Sequence, residues 1–124
     1  MKKEEIFKSY IRAWLKKDVN LFLTVLSKNI TVTECFGAQY QGRTEAEKWF
    51  LDWTGAFDNS VKKWEVINSY FDGNIAFFTW TFDYIYKGKS DIFDGISVVT
   101  FEDDKIREIK EYEMKHEKFR PYNS

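Results

Sequence analysis

The sequence predicts an α+β domain, a cone-shaped curved antiparallel sheet covered on one face by three helices from the N-terminal half. Three observations predict it. Through residue 57 the apolar residues recur mostly at helical spacing, interrupted by one alternating stretch, ITVTECF at 30–36. From residue 62 to 114 the period changes to two, broken only at turn residues. Aromatic residues reach 19%, with 12 Phe, 7 Tyr and 5 Trp, enough to wall a cavity as well as to fill a core. Helices segregated from strands belong on one face of a sheet, and long twisted strands curl. With 124 residues the chain fits a single domain over residues 1–124.

The elements follow in order. Residues 4–17 place Ile6, Phe7, Tyr10, Ile11, Trp14 and Leu15 on one helical stripe. Asp18 offers an N-cap to a second short helix whose stripe is Leu21, Phe22, Val25 and Leu26. The first strand is ITVTECF. There Ile30, Val32 and Glu34 share a face, so an inward Ile30 and Val32 carry Glu34 inward too. The connector GAQYQG leads to a third helix, predicted to start at a capping box of Thr44 and Glu47 and to bury Ala46, Trp49, Phe50, Trp53 and Phe57. Four strands follow, at 62–71, 75–86, 92–101 and 105–114, with turns at Asp72-Gly73, around Gly88 and at 102–104. On IAFFTWTFDYIY the face with Ala76, Phe78, Trp80, Phe82, Tyr84 and Tyr86 is the more apolar and is assigned inward. The mixed outer face suits a sheet half covered by a second subunit.

Composition narrows the function. The net charge of −1, from 19 basic and 20 acidic residues, lacks the basic surplus that phosphate neutralisation needs, so nucleic acid is not an expected partner. No stretch is apolar enough to span a membrane, and the charged N-terminus has no signal-peptide core. The lone Cys35 allows no internal disulfide, which suits a reducing cytoplasm. One Cys and one His make no protein zinc site. Phosphate loops, dinucleotide glycine patterns and a Ser-His-Asp order are absent, and the acid clusters DIFDGI and EDD are expected at turns. No cofactor or metal is expected.

Glu34 is the residue with the clearest chemical promise. An acid among rings has a raised pKa and serves as a general base or acid near neutral pH. The same acid can instead bind a ligand, or be satisfied structurally by Tyr10, a backbone N–H or water. Tyr10 is core in its ring, and its hydroxyl needs a partner, for which Glu34 is the expected one. Ligand contacts are expected from Trp14, Trp53, Phe78, Trp80, Phe82, Ser97, Val99 and Glu111. Glu113 shares a face with Glu111, and either can reach the cavity or pair with flanking lysines. His116 reads as a surface histidine in a polar tail, or as a proton carrier if that tail folds over the cone.

Three stretches, YIRAWLKKDVNLFLTVLSKNITV, YQGRTEAEKWF and FDGISVVTFEDDKIREIKEYE, resemble the nuclear transport factor 2-like superfamily over nearly the whole chain. That group includes SnoaL-like polyketide cyclases, ketosteroid isomerases and limonene epoxide hydrolase. In place of a glycine in the last hairpin the chain has Asp104, which also tolerates turn geometry. Compared with the ketosteroid isomerases, the oxyanion-donating tyrosine falls on Tyr10 and the general-base carboxylate on Glu34. The supporting acid falls on Ser97, which cannot donate as a carboxylic acid does. The resemblance implies an aromatic pocket for a small apolar carbonyl or epoxide compound, worked by cofactor-independent acid–base chemistry. It equally allows a binding module or a protein-interaction module, since one scaffold hosts all three. A homodimer through the outer sheet face is expected.

Overall fold

The computed structural model describes residues 2–123. Helices α1 (Lys2–Lys16) and α2 (Val19–Thr24) precede strand β1 (Leu26–Thr33). The short strand β2 (Gln39–Gln41) runs into α3 (Gly42–Gly55), and four long strands follow: β3 (Ser60–Asp72), β4 (Ile75–Tyr86), β5 (Lys89–Glu102) and β6 (Lys105–Lys115). They form one six-stranded sheet in the order β2-β1-β6-β5-β4-β3. All pairs are antiparallel except β1 with β6, which run parallel.

The core follows the predicted stripes. Phe7, Tyr10, Ile11, Ala13 and Trp14 bury one face of α1, and Asp18 caps α2 by accepting a hydrogen bond from the Leu21 N–H at 3.1 Å. Phe7 stacks on Phe78 with ring centroids 4.3 Å apart, and Phe22 stacks on Phe50 at the same distance. Register breaks in β3, between Val61 and Lys63 and between Val66 and Asn68, mark β-bulges. Bulges increase local twist and bend the sheet around the helices.

Four expectations need correction. β1 ends at Thr33 rather than Phe36; residues 34–38 form a turn, closed by Glu34 N–H to Ala38 O at 2.8 Å and Gly37 N–H to Glu34 O at 2.9 Å. The connector holds β2, and α3 starts before Thr44. Gly42, at φ 86°, turns the chain straight from strand into helix, and Glu45 rather than Thr44 secures the start by accepting the Gln41 N–H at 2.8 Å. Phe57 lies beyond α3 and is 97% exposed, because the helix ends before it. DIFDGI lies inside β5, where alternation sends its residues to opposite faces, rather than at a turn. EDD does form a hairpin tip, with Asp103 and Asp104 both left-handed at φ 51° and 62°.

Candidate functional site

A cavity of about 1230 Å³ opens between the concave face of the sheet, α1 and α3. Its walls are mostly rings. α1 supplies Tyr10 and Trp14, α3 supplies Trp49 and Trp53, and β3 supplies Trp64. From β4 come Trp80, Phe82, Tyr84 and Tyr86, and from β5 Phe93. Many ring pairs meet edge to face, as Trp64 meets Trp80 at 5.6 Å and 81°. Stiff rings in that arrangement leave space that flexible side chains would collapse into.

Gly95 makes the floor. A Cβ there would lie 2.5 Å from both Trp80 Cη2 and the Tyr112 carbonyl oxygen. Its absence lets the Trp80 indole lie over β5, where Nε1–H donates to Ser97 Oγ at 2.9 Å. Ser97, Phe78 and Val99 are fully buried beneath the floor and do not line the cavity, contrary to their expected ligand contacts. Trp80 covers the first, Phe7 stacks on the second, and Val99 sits in the packed core.

Two carboxyls occupy the interior. Glu34, in the turn after β1, accepts the Tyr40 hydroxyl at 2.9 Å. Tyr40, on β2, stacks against Trp49 at 4.4 Å, which fixes its hydroxyl. Burial raises the Glu34 pKa, and the Tyr40 hydrogen bond pulls it partly back. Glu111, on β6, is the cross-strand neighbour of Ser97. Burial first, and the Glu34 charge second, push it up to about 8. Two like charges in one cavity cannot both ionise cheaply. Glu111 therefore holds its proton at neutral pH, while the Tyr40 hydrogen bond favours the ionised form of Glu34.

Tyr10 is paired differently from expectation. Its hydroxyl is fully buried and makes no hydrogen bond to Glu34 or to any other described group; Tyr40 takes the place at Glu34. Burial, then Glu111, then Glu34 hold the Tyr10 hydroxyl far above its usual pKa, with Trp14 opposing, so it keeps its proton. The indole N–H groups of Trp14 and Trp64 are also buried. The Tyr10 O–H and the Trp64 N–H lack an acceptor, while the Trp14 N–H acts on the Tyr10 oxygen. Buried polar groups are normally satisfied, so an accepting oxygen beside these donors would be stabilised.

The sequence model of the SnoaL-like domain matches residues 7–109. The chain belongs to the SnoaL-like domain family. No curated protein matches it in sequence. Its fold resembles many solved structures. One is a protein of ketosteroid isomerase-like fold from Catenulispora acidiphila, solved with trimethylamine (19% identity, 87% of this chain and 84% of the other, TM-score 0.76). An LEH-like epoxide hydrolase from M. tuberculosis shares 12% identity over 89% and 80% of the two chains, with a TM-score of 0.78. A protein described as a SnoaL-like polyketide cyclase from Shewanella putrefaciens shares 8% identity over 91% and 90%, with a TM-score of 0.77. At these identities the likeness is one of fold.

Within this SnoaL-like fold, the cavity brings together Tyr10, Trp14, Glu34, Trp53, Trp80, Phe82 and Glu111 from the predicted set. Glu113 lines it as well, near the mouth, and accepts the Cys35 thiol at 3.3 Å. His116 lies elsewhere: it meets Asp94 at 2.9 Å beside Lys118, and together Lys118 and then His116 lower Asp94 to about 2. Sequence reasoning missed Tyr40, Trp64 and Phe93. Trp64 alternates with Val66 on the inner face of β3, a signal that was available. Tyr40 carried none beyond its place in the connector. Among the described residues no group of three or more His, Cys, Asp or Glu could hold a metal ion, and no helix is long and apolar enough to cross a membrane.

Proposed function

We propose that this chain is a cofactor-independent acid–base catalyst acting on a small apolar carbonyl or epoxide compound. The observation that carries the reading is the split of roles in one aromatic cavity. Glu34 accepts the Tyr40 hydroxyl, which favours its ionised form against burial, while Tyr10 and the protonated Glu111 offer unspent donors. With a carbonyl substrate, Glu34 takes a proton from the carbon next to the carbonyl. The electron pair moves to the oxygen, which Tyr10 and Glu111 stabilise by hydrogen bonds, and the proton returns to that carbon or, where a C=C is conjugated with it, to the far end of the conjugated system. With an epoxide, Glu34 takes a proton from water as the water attacks carbon, and Glu111 protonates the departing oxygen.

The same cavity supports a non-catalytic binding module as the second reading. The small amine held by the Catenulispora neighbour favours it. A thermal-shift screen of small ketones and epoxides against the wild type and Glu34→Gln separates these readings. Compounds that stabilise the wild type and lose their effect in the variant support a working acid. Equal stabilisation of both proteins supports binding alone, and no stabilisation of either removes the cavity as a ligand site.

We also propose that two copies pair through the outer sheet face, and that the protein works in the reducing cytoplasm, where the free Cys35 stays a thiol.

A further inference from the structure

We propose that the ligand of this cavity carries a positively charged nitrogen, a tertiary or quaternary amine, seated against Glu113 near the mouth while its apolar body fills the aromatic interior. The proposal rests on reading the cavity as a ligand site and adds the ligand's charge; it does not depend on Glu34 doing chemistry.

The charge facing the cavity is one-sided. Its lining includes the carboxyls of Glu34 and Glu113 and of three acids near the rim, with Glu111 neutral among them, against only Lys48 and Lys87. Lys48 is already engaged with Asp52 at 3.5 Å. The Lys87 ammonium sits over the Tyr86 ring, 5.3 Å from its centroid. Among the described residues no lysine or arginine pairs with Glu34, Glu111 or Glu113. Their partners are a phenol for Glu34 and a thiol for Glu113.

These three carboxyls act on one corner. The Cys35 thiol is pushed up to about 12 by burial and by Glu113, with Glu111 and Glu34 adding to it. Carboxylates without a cationic partner beside an apolar wall attract an incoming cation. A bare metal ion does not suit the wall, because among the described residues no three His, Cys, Asp or Glu group to hold one.

The surrounding rings suit an organic cation. Gly95, the cross-strand neighbour of Glu113, lies beneath the Trp80 indole. Phe93, two residues along β5, stands 5.8 Å from both Trp80 and Tyr84. Ring faces attract ammonium groups, and desolvation strengthens the attraction. The Lys87 contact with Tyr86 shows a mouth ring already serving a cation. Deeper in the same cavity the fully buried Tyr10 hydroxyl, whose O–H has no acceptor, independently suits an acceptor oxygen at the ligand's other end. Carboxylates and phosphates meet repulsion at the wall.

Three probes of like size and shape test this: benzyltrimethylammonium, its uncharged isostere neopentylbenzene, and the anion phenylmethanesulfonate. Each is titrated into wild type and Glu113→Gln, followed by tryptophan fluorescence at low salt, with circular dichroism checking the fold. The cation should bind wild type at least ~10-fold tighter than the neutral probe, and the anion should not bind. Glu113→Gln should narrow the gap between cation and neutral probe. A cation that binds no tighter than neopentylbenzene, or whose advantage survives Glu113→Gln unchanged, overturns the proposal. Silence from all three probes overturns it together with the ligand-site reading. An uncharged ketone that binds while the cation shows no advantage overturns the charge alone and leaves the acid–base reading standing.

Discussion

At the scale of single residues, Glu111 keeps its proton at neutral pH because burial penalises its ionised form and the neighbouring Glu34 charge adds to the penalty. This has a consequence for stability. In the unfolded chain the carboxyl ionises near its ordinary 4.5, and in the folded chain near 8. Between those values the folded state holds a proton that the unfolded state has released. The stability this group contributes is therefore fully present below the unfolded value and is lost as pH rises through the folded one. Glu111→Gln keeps the shape without titrating. Urea unfolding from about pH 5 to about pH 9 should show wild type losing stability relative to the variant as pH rises. Parallel profiles would contradict the assignment. The place of Glu34 at the cavity was legible from the parity that Ile30 and Val32 set, although β1 ends one residue before it. Its partner was not, since Tyr40 reaches it only through the three-residue β2, a pairing too short to leave a pattern.

At the scale of elements, the outer face of the sheet is the surface on which the proposed pairing rests. Thr79, Ile96 and Tyr112 form one cross-strand row, and Phe77 and Val98 a second. Tyr112 and Met114 are exposed. A second copy laid on these rows would cover them. Sedimentation should give about twice the 14.9 kDa chain mass, and Tyr112→Glu, placing like charges across the pair, should return monomers. Monomers for the wild type at every concentration would sink the dimer. The long strands were legible almost to their ends, since alternation and the turn residues around Gly73 and Gly88 agree. Helix ends were less so. Gly42 begins α3 by a backbone turn that mimics no capping motif, and Phe57 continues the apolar spacing past the point where the helix stops.

At the scale of the whole molecule, a bent sheet and three helices enclose more space than their side chains fill. The change of period along the chain, from helical to alternating, made this architecture readable before any coordinates. The depth of the hollow was not. Phe78, Ser97 and Val99 lie on inward faces, as alternation requires, yet fall below the floor because Gly95 lets Trp80 lie across them. Which inward ring lines a cavity and which lies under it depends on contacts between strands, and no single strand encodes that.

The central claim is that Glu34 works as a base inside this hollow. Exchange of the hydrogens next to the carbonyl in small apolar ketones, followed by NMR in deuterated water, tests it without knowledge of the natural substrate. Wild type should speed deuterium incorporation, and Glu34→Gln should lose the acceleration by roughly 100-fold or more while still folding. Equal exchange with both proteins, at concentrations where the ketone is bound, would show a carboxylate that lines the cavity without acting in it.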